Sequence, residues 1–513
     1  MRKTLLHLLA FGPVAALAQQ SGSLDLNFGS NGIASIDFPS NFDDRGQCVL
    51  VQPDGRILMA GGSYQANGVK FAIARLMTNG TLDNTFGTSG RATAQAGSPP
   101  NLDDIIYAMA LQPDGKIVAA GRTFATGLGY RAVVLRFNAN GTIDNTFGTN
   151  GIRVDDIAAG NEDCFYGVAV QADGKIVAGG LAKSSSDFDV VVARYNANGT
   201  PDATYGTNGF AILDIGGVDN RGSAMVLQPD GKVVVAGTHG NPAVDSDFLL
   251  ARFTTTGAPD ATFGTGGSVI SAFSPSTDWA YGLALQPDGK LVAAGMITNG
   301  AAANVGVARY LTNGTLDTTF DGDGLAINAF SAACYARSVA VLPDGRIVTG
   351  GNTLLSMLIV MFNANGSPDL NFSFDAVESP VLGGNAFGYS VAVQADYKVL
   401  LAGQAIQGAA QNNFMVMRYH TGVNISVEEI NGLATALQAL PNPASEMVEL
   451  RYALTSGDRI TINLLDAQGR LASTPINGAF QAAGDQRVQL ALGDAIAPGA
   501  YTITIAGERG VLG

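Results

Sequence analysis

The chain has 513 residues, a formal net charge of −14, 66 glycines and only 14% charged residues. This acidic balance argues against nucleic acid or an anionic membrane surface as the partner, because both are themselves negatively charged. Abundant glycine with few aromatic residues is typical of many short strands joined by tight turns.

Residues 1–18 are predicted to be an export signal. Arg2 and Lys3 form a positive end, residues 5–17 are mostly apolar, and small residues at 16 and 18 suit cleavage. The alternative is a buried N-terminal strand. No other stretch is long and apolar enough to span a membrane. The mature protein is therefore predicted to be secreted or attached to the outer cell surface, without a transmembrane segment.

A hairpin motif of the form Gln-Pro-Asp-Gly, flanked by two apolar runs, is repeated through the chain. Proline and glycine suit the turn positions of a short hairpin. Successive turn aspartates lie 52 to 60 residues apart. The seven turns centre on Asp54, Asp114, Asp173, Asp230, Asp288, Asp344 and Asp396.

Each repeat predicts four strands. In the second repeat these are Tyr107 to Gln112, Lys116 to Gly121, Ala132 to Phe137 and Gly151 to Asp155. Small residues alternate with large ones in the first strand, which lets inner strands crowd round a central axis. Seven such units predict an all-β fold, a seven-bladed β-propeller, with an open β-solenoid as the alternative.

The two ends of the repeat region favour a closed ring. The chain begins at Ser23 with the second half of a repeat, and the repeats finish at Gly422 with a first half. Joined together, the halves make one whole unit. We therefore expect Gly32 to Phe38 to form the outer strand of the last blade, which leaves no open edge.

The repeat resembles a known family. The copies of QPDGK, the pattern VARYNANGTPDATYG at Val192 to Gly206 and the period are similar to the delta-60 repeat of bacterial exported proteins. The resemblance implies a β-propeller domain over residues 19–422, in a family that largely lacks an assigned activity. Tyr397 replaces the turn glycine of the last repeat, and a left-handed tyrosine costs about 1–2 kcal/mol. We therefore expect that turn to be reshaped.

The pattern changes after the repeats. Residues 423–440 are predicted to be a linker, and residues 441–513 a small β-sandwich, because strands such as Val448 to Tyr452 alternate apolar and polar residues.

Three motifs of this C-terminal region resemble the sorting domain of the type IX secretion system. They are the Pro441-Asn442-Pro443 opening, the turn from Asp466 to Arg470 and the strand that begins at Gly499. The resemblance implies that the secretion machinery is a partner of this domain.

Few residues suited to catalysis stand at recognisable spacings. Beyond the signal only His239 and His420 remain, and no phosphate-binding loop or catalytic triad pattern is present. The three cysteines lie in different repeats, which predicts free, partly buried thiols: Cys48, Cys164 and Cys334. No cofactor is predicted, and a non-catalytic protein is favoured.

Aspartates recur in the turn before each fourth strand, mostly preceded by an arginine eight residues earlier. They could form a ligand array, but we favour arginines that tie down their own blade's turn by charge-assisted hydrogen bonds. The arginines are Arg75, Arg136, Arg194, Arg252, Arg309 and Arg418, with Met361 as the exception. The aspartates are Asp83, Asp144, Asp202, Asp260, Asp317 and Asp369, and Asp25 is expected to serve Arg418 across the ring closure. The segment Asp321 to Gly324 resembles a calcium loop only briefly and is predicted to be structural.

A second set of acids precedes the hairpin aspartates by ten residues. These are Asp44, Asp104, Asp163 and Asp278, with Asp219 one position earlier in its repeat. Aromatic residues stand close to them: Tyr107, Tyr166, Trp279, Tyr281 and Tyr389. Acids beside aromatic faces can hold sugars or cations, so these residues are the predicted ligand-binding site, and calcium is the metal that would suit it. The alternative is capping of strand starts on an ordinary solvated rim.

The leading hypothesis is an exported binding or adhesion protein that presents one mouth of the propeller channel to a glycan, peptide or surface. The alternative is an extracellular carbohydrate-active enzyme, since glycoside cleavage needs two carboxylates about 5–10 Å apart. A purely structural role in a surface layer comes third.

Overall fold

The computed structural model describes most of the chain between residues 21 and 511. Its gaps are residues 40–41, 67, 97–101, 126, 128, 159, 161, 185, 242–243, 300–301, 329–332, 373–385, 408–410, 422–433, 441–446, 455–456, 467–470, 492–500 and 508–509. Every regular element within the described residues is a β-strand. No helix among them is long and apolar enough to cross a membrane. The predicted export signal lies outside the described residues.

Seven antiparallel sheets form the blades of a β-propeller, numbered here from the blade that begins at Asp44. The inner strands are Asp44–Val51, Ile105–Leu111, Asp163–Val170, Asn220–Leu227, Asp278–Leu285, Cys334–Val341 and Ala386–Val393. The second strands are Ile57–Gln65, Ile117–Ala125, Ile176–Lys183, Val233–Asn241, Leu291–Asn299, Ile347–Thr353 and Val399–Gln407. The third strands are Gly68–Leu76, Gly129–Phe137, Phe188–Tyr195, Asp245–Phe253, Ala302–Tyr310, Met357–Phe362 and Gln411–Tyr419.

The outer strands are short. They are Arg91–Ala94, Ile152–Asp155, Phe210–Leu213, Ser268–Ser271 and Leu325–Asn328 in blades 1 to 5, and Ile33–Ile36 in blade 7. Blade 6 has three strands among the residues described. In blade 1, the short strand Leu102–Asp103 adds a parallel pairing to the third strand.

The inner strands surround a central axis, because each of them contacts the inner strands of both neighbouring blades, and blade 7 contacts blade 1. Hydrophobic side chains fill the space between consecutive blades. The layer between blades 7 and 1, for example, contains Phe28, Ile36, Met59 and Phe414, all fully buried. The predicted seven-bladed propeller is confirmed.

The N-terminal strand closes the ring. Ile33–Ile36 pairs antiparallel with the third strand of blade 7, with Ile33 opposite Met417 and Ile36 opposite Phe414. The backbone N–H of Asp25 also donates to the carbonyl of Arg418 at 2.8 Å. The predicted closure is therefore confirmed, with a shorter strand than the expected Gly32 to Phe38.

Two faces of the ring differ in their loops. The inner strands begin on the face termed here the upper face, where the loops from the preceding outer strands arrive. The proline-aspartate-glycine hairpins and the turns before the outer strands lie on the opposite, lower face. The upper and lower mouths are the two ends of the central channel.

An arginine in the third strand holds the turn that follows it on the lower face. Arg194 Nε donates to Asp202 Oδ2 at 2.8 Å, and both side chains are buried. The guanidinium also lies over the Tyr205 ring, 4.6 Å from its centroid. The same pair occurs in five other blades: Arg75–Asp83, Arg136–Asp144, Arg252–Asp260, Arg309–Asp317 and Arg418–Asp25. The structural interpretation of these arginines is confirmed by these contacts.

Each of these arginines also reaches the next blade. Arg194 Nη1 donates to the carbonyl of Thr255 in blade 4 at 2.6 Å. Arg418 of blade 7 donates in the same way to Thr78 of blade 1, also at 2.6 Å. The remaining bonds join Arg75 to Ala139, Arg136 to Ala197, Arg252 to Thr312 and Arg309 to Ala364. The arginine–aspartate pair and this bond to the next blade are together termed the lock. The bond between blades was not predicted from the sequence.

Blade 6 keeps the lock although its third strand carries Met361. Arg346, from the hairpin, donates through Nη1 to Asp369 at 2.9 Å and to the carbonyl of Thr421 in blade 7 at 2.8 Å. In other blades the hairpin residue is a second cation on the lock aspartate, as in Lys290 and Asp317, 3.0 Å apart.

The last hairpin is not reshaped, so that expectation was wrong. Tyr397 adopts φ 63° and its N–H donates to the carbonyl of Gln394 at 2.9 Å, as glycine does in the other hairpins. Its own carbonyl accepts a hydrogen bond from Thr421 Oγ1 at 2.9 Å. This contact with the lower face helps to hold a conformation that is unfavourable for tyrosine.

The C-terminal residues form two antiparallel sheets. One consists of Ala434–Leu440, Met447–Leu454 and Gly484–Ala491, and the other of Leu471–Gln481, Asp458–Asp466, Tyr501–Gly507 and Gly510–Val511. The predicted linker at 423–440 is too long, because its last seven residues form a strand. The Pro441 opening and residues 467–470 lie outside the described residues, and the sandwich stays a prediction.

Candidate functional site

Each inner strand carries a β-bulge near its start, at the upper end of the channel. In blade 5, Ala280 pairs with Gly295 and Gly282 with Ala294, so Tyr281 is the extra residue. A bulge re-aims the side chain of its extra residue. The seven extra residues, termed the bulge ring, are Gln47, Tyr107, Tyr166, Ser223, Tyr281, Arg337 and Tyr389.

A glycine in the second strand makes each bulge possible. At Gly295 a Cβ would lie 1.7 Å from the carbonyl oxygen of Trp279, and at Gly61 it would lie 1.8 Å from that of Arg45. Glycines stand at the same place in the other blades: Gly121, Gly180, Gly237, Gly351 and Gly403. This repeated glycine is the signal in the sequence that marks the bulge ring. The bulges were not predicted, because the glycine was not interpreted in this way.

Neighbouring blades bring members of the bulge ring into contact. The rings of Tyr107 and Tyr166, from blades 2 and 3, have centroids 4.8 Å apart. The guanidinium of Arg337 in blade 6 lies 4.5 Å from the ring centroid of Tyr281 in blade 5. All four side chains are half-buried. The structure therefore places the predicted tyrosines Tyr107, Tyr166 and Tyr281 round the upper mouth, and Tyr389 holds the same position in blade 7.

Trp279 lies beside the bulge ring. Its ring centroid is 5.4 Å from that of Tyr281, and its indole Nε1 donates to Ser246 Oγ at 3.0 Å. The indole is therefore fixed in orientation while it stays half-buried.

The tyrosine hydroxyls of this mouth are neutral near pH 7, because the ordinary pKa of tyrosine is about 10 and burial raises it further. Burial raises the pKa of Tyr281 to about 12, and it raises the pKa of Tyr389 although Arg337 and Arg45 oppose that change. A neutral phenol can donate a hydrogen bond to a ligand oxygen. The mouth thus combines aromatic faces with hydrogen-bond donors.

Four of the five predicted acids are fully buried, so they do not lie on a solvated rim as the capping alternative supposed. Each of the four accepts a hydrogen bond from the loop that arrives from the preceding blade. The bonds are Phe38 N to Asp44 at 2.7 Å, Ala96 N to Asp104 at 3.0 Å, Ile157 N to Asp163 at 2.8 Å and Phe273 N to Asp278 at 3.0 Å. Ligand binding by these acids stays a prediction, and their contacts are those of strand-start caps.

Blade 4 shows that this cap needs no charge. Asn220 occupies the buried position and donates to the carbonyls of Ile215 and Val218, at 3.3 and 2.7 Å. Its Oδ1 lies 2.8 Å from His239 Nδ1. The predicted Asp219 stands one residue earlier, where it is partly exposed and pairs with Arg221 at 2.9 Å.

Asp163→Asn is expected to stabilise the fold at alkaline pH. Burial raises the pKa of Asp163 to about 6, above its ordinary value of 3.8. Between these two values the native state holds a proton that the unfolded state releases, so wild-type stability falls as the pH rises through this window. The asparagine variant avoids this loss, and its advantage should reach about 1–2 kcal/mol above pH 6.

Urea denaturation at pH 4.5 and pH 8 measures this difference. The matched control is Asp288→Asn on an exposed hairpin, which should change stability equally at both values of pH. A destabilised Asp163→Asn variant at pH 8 would mean that the carboxylate itself is needed.

No group of three or more histidine, cysteine, aspartate or glutamate side chains suited to a metal ion exists among the described residues. Calcium binding stays a prediction. Cys48, Cys164 and Cys334 are free, as predicted, and they are buried rather than partly buried.

The lower mouth contains a cavity of about 520 Å³. It is lined by the hairpins of blades 3 and 4, including Gln171, Asp173, Gln228 and Asp230, and by Leu285 of blade 5. The two aspartates lie 3.5–3.9 Å from the lysines of their own hairpins. The lining contains no aromatic side chain, and the buried Oε1 atoms of Gln171 and Gln228 have no hydrogen-bond partner among the described residues.

The comparisons with known proteins point to the same repeat. Six segments match a family described as "Domain of unknown function (DUF5122) beta-propeller": residues 52–86, 112–147, 171–205, 228–263, 286–320 and 342–372. Each segment runs from the hairpin to the aromatic residue beside the lock. The chain carries this β-propeller repeat. The delta-60 name and the sorting-domain resemblance stay predictions. No curated protein matches the sequence.

Solved structures of similar shape are distant in sequence. A fungal alcohol oxidase of the AA5 family in complex with copper is 12% identical, with a TM-score of 0.41 over 93% of this chain and 96% of its own. The polysaccharide lyase Uly1 is 13% identical, with a TM-score of 0.43 over 77% and 93%. A protein of unknown function from Dyadobacter fermentans is 14% identical, with a TM-score of 0.36 over 61% and 93%. None of these likenesses carries a functional argument.

Proposed function

We propose that this is an exported, non-catalytic binding or adhesion protein whose upper channel mouth binds a glycan, peptide or surface. The observation that supports this proposal is the bulge ring, which places four tyrosines and one arginine at the upper ends of the inner strands of five blades. Concave sites with aromatic walls and a few polar groups are typical of ligand binding. Export follows from the predicted signal, and the predicted sorting domain would engage the secretion machinery.

A carbohydrate-active enzyme would need two carboxylates that reach a bound sugar. Burial does raise the pKa of Asp44 to about 7 and that of Asp104 to about 6, values that would suit a general acid. Both side chains, however, are fully buried and hold loop backbone. The described residues therefore favour binding over catalysis.

Tyr281→Ala combined with Tyr389→Ala is expected to weaken binding of the full chain to a printed array of neutral and acidic glycans and peptides. The two side chains lie on blades 5 and 7, and the double substitution removes much of the aromatic wall. We therefore expect at least about a tenfold loss of affinity. The matched control is Leu370→Ala together with Leu26→Ala, exposed residues in lower-face turns.

The control variant should bind as the wild type does. Binding by the tyrosine variant that equals the wild type would move the site away from the upper mouth. Product release from any bound glycan by the wild-type chain would show that the protein is an enzyme.

A further inference from the structure

Among the described residues, four arginines lie near the upper ends of the inner and second strands, and two of them lack an acidic partner. Arg122 lies 2.8 Å from Asp103 and Arg221 lies 2.9 Å from Asp219. Among the described residues, no carboxylate oxygen lies within 4.0 Å of a guanidinium nitrogen of Arg45 or Arg337, although both side chains are half-buried. The Nε of Arg337 is buried without a hydrogen-bond partner. Half-buried guanidinium groups without an anion leave part of their desolvation cost uncompensated.

These two arginines belong to blades 6 and 1, on either side of blade 7. Hydrogen bonds between the inner strands fix the three blades relative to one another. Val391 N donates to Ser338 Oγ at 3.2 Å, and Val49 N donates to Ser390 Oγ at 3.3 Å. The two serines directly follow the bulged residues Arg337 and Tyr389. Each bulge is therefore hydrogen-bonded to the inner strand of the next blade.

Tyr389 lies within electrostatic reach of both guanidinium groups. Burial raises its pKa, and Arg337 and Arg45 each act in the opposite direction. The hydroxyl of Tyr389 therefore adds a neutral hydrogen-bond donor within electrostatic reach of both cations. The group of Arg45, Arg337 and Tyr389 is termed the arginine sector.

Aromatic faces line the arginine sector. Arg337 lies 4.5 Å from the Tyr281 centroid and 5.6 Å from that of Tyr335. Arg45 lies 4.7 Å from the Tyr64 centroid, and Phe387 stacks on Tyr389 at 6.5 Å. Aromatic side chains of this kind are large, rigid contact surfaces that bind the apolar face of a flat ligand.

The arginine sector is a local positive region in a chain of net charge −14, and this contrast affects which anions can bind. The overall charge disfavours long polyanions such as nucleic acid, while guanidinium groups without a carboxylate partner attract a local anionic group and can form bidentate hydrogen bonds with a carboxylate. A strand-like peptide would need a free sheet edge to pair with, and the inner strands are paired on one side and packed against their neighbours on the other. A ring-shaped acidic group fits these observations best.

We propose that the arginine sector binds the carboxylate of an acidic sugar, a hexuronic acid residue within an oligosaccharide. Arg45 and Arg337 pair with the carboxylate, Tyr389 donates to a sugar oxygen, and the surrounding aromatic side chains pack on the sugar ring. This inference rests on the proposed binding function and names its ligand class.

Calorimetric titration of the full chain with galacturonic acid trisaccharide, and with the neutral methyl ester of that trisaccharide, tests the proposal. The wild type should bind the acid about tenfold or more tightly than the ester, because only the acid offers carboxylates to the two cations. Arg45→Gln with Arg337→Gln should lose this preference, so that the variant binds the acid no more tightly than the ester. The matched control is Arg221→Gln, which occupies the same strand position as Arg45 but is already paired, and it should keep the preference.

Melting temperatures of the variants are compared first. If the double arginine variant does not fold, Tyr389→Phe is the second variant, and it should weaken binding of the acid about three- to tenfold. Equal binding of acid and ester by the wild type, or an acid preference that survives in a folded double variant, would overturn the acidic-sugar inference while the binding function stands.

Binding of neither trisaccharide would also overturn the inference. A glutamate pentapeptide that binds the wild type and loses binding in the double variant would replace the sugar by an acidic peptide. Absence of binding to every glycan and peptide of the array would instead contradict the proposed function.

Discussion

Removal of residues 21–39 is expected to abolish the folded monomer. This segment supplies the outer strand of blade 7 and three fully or almost fully buried side chains, Phe28, Ile36 and Phe38. Each such side chain contributes about 1.5–3 kcal/mol through burial. Together they approach the whole free energy of unfolding of a typical domain, about 5–15 kcal/mol.

The loss also exposes the third strand of blade 7 and leaves Arg418 without Asp25. An unpaired strand edge promotes association, so we expect aggregates in size-exclusion chromatography and no cooperative thermal transition. Ile36→Ala is a milder version that should cost about 2–5 kcal/mol. Ser35→Ala, on the exposed side of the same strand, should cost little. A truncated chain that stays monomeric with an unchanged melting temperature would show that the strand does not close the ring.

Arg346→Met is expected to destabilise the protein far more than Lys290→Met, although both residues occupy the same hairpin position. In blade 6, Arg346 is the cation that holds Asp369 and also bonds Thr421 of the next blade. Its loss leaves the buried Asp369 without this cation and the carbonyl of Thr421 without this donor, which costs about 3–5 kcal/mol. In blade 5, Arg309 still holds Asp317 when Lys290 is removed, so the loss should be about 0.5–1 kcal/mol.

Guanidinium chloride denaturation of the two variants compares these losses directly. Arg194→Met should fall between them, at about 1–3 kcal/mol, because Lys175 remains 2.9 Å from Asp202 while the bond to Thr255 is lost. Equal losses of stability for Arg346→Met and Lys290→Met would mean that Arg346 does not replace the missing third-strand arginine in the lock of blade 6.

The repeat allowed the fold to be predicted in detail, since each unit repeats the same hairpin and the two incomplete ends complement each other. The arginine–aspartate pair within a blade was also predictable, because its spacing of eight residues spans one turn between two strands. The bond to the next blade was not, because its acceptor is a backbone carbonyl such as that of Thr255 and carries no residue type.

The candidate site was predictable only in part. Tyr107, Tyr166, Tyr281 and Tyr389 were selected for their position after the strand start, and that position is the bulge. The acids beside them were assigned to the mouth, yet an aspartate before a strand can face either solvent or its own loop. Here the aspartates face the interior, because backbone N–H groups of the loop, such as that of Phe38, donate hydrogen bonds to them.

The unpaired arginines were missed because they occupy different positions in their repeats. Arg45 is the second residue of its inner strand and Arg337 the fourth. A period-based comparison therefore does not align them. The two arginines come to the same sector because Arg337 is a bulged residue and because blades 6 and 1 both neighbour blade 7.

Hydroxyl-radical footprinting of the full chain, with and without galacturonic acid trisaccharide, tests most directly that the upper mouth is the binding surface. We expect lower oxidation of Trp279, Tyr281 and Tyr389 in the presence of the trisaccharide, and unchanged oxidation of the exposed Leu370 on the lower face and Phe480 in the C-terminal sheets. Protection of Leu370 with no change at the three aromatic residues would contradict the account, since it would place the ligand on the opposite face of the propeller.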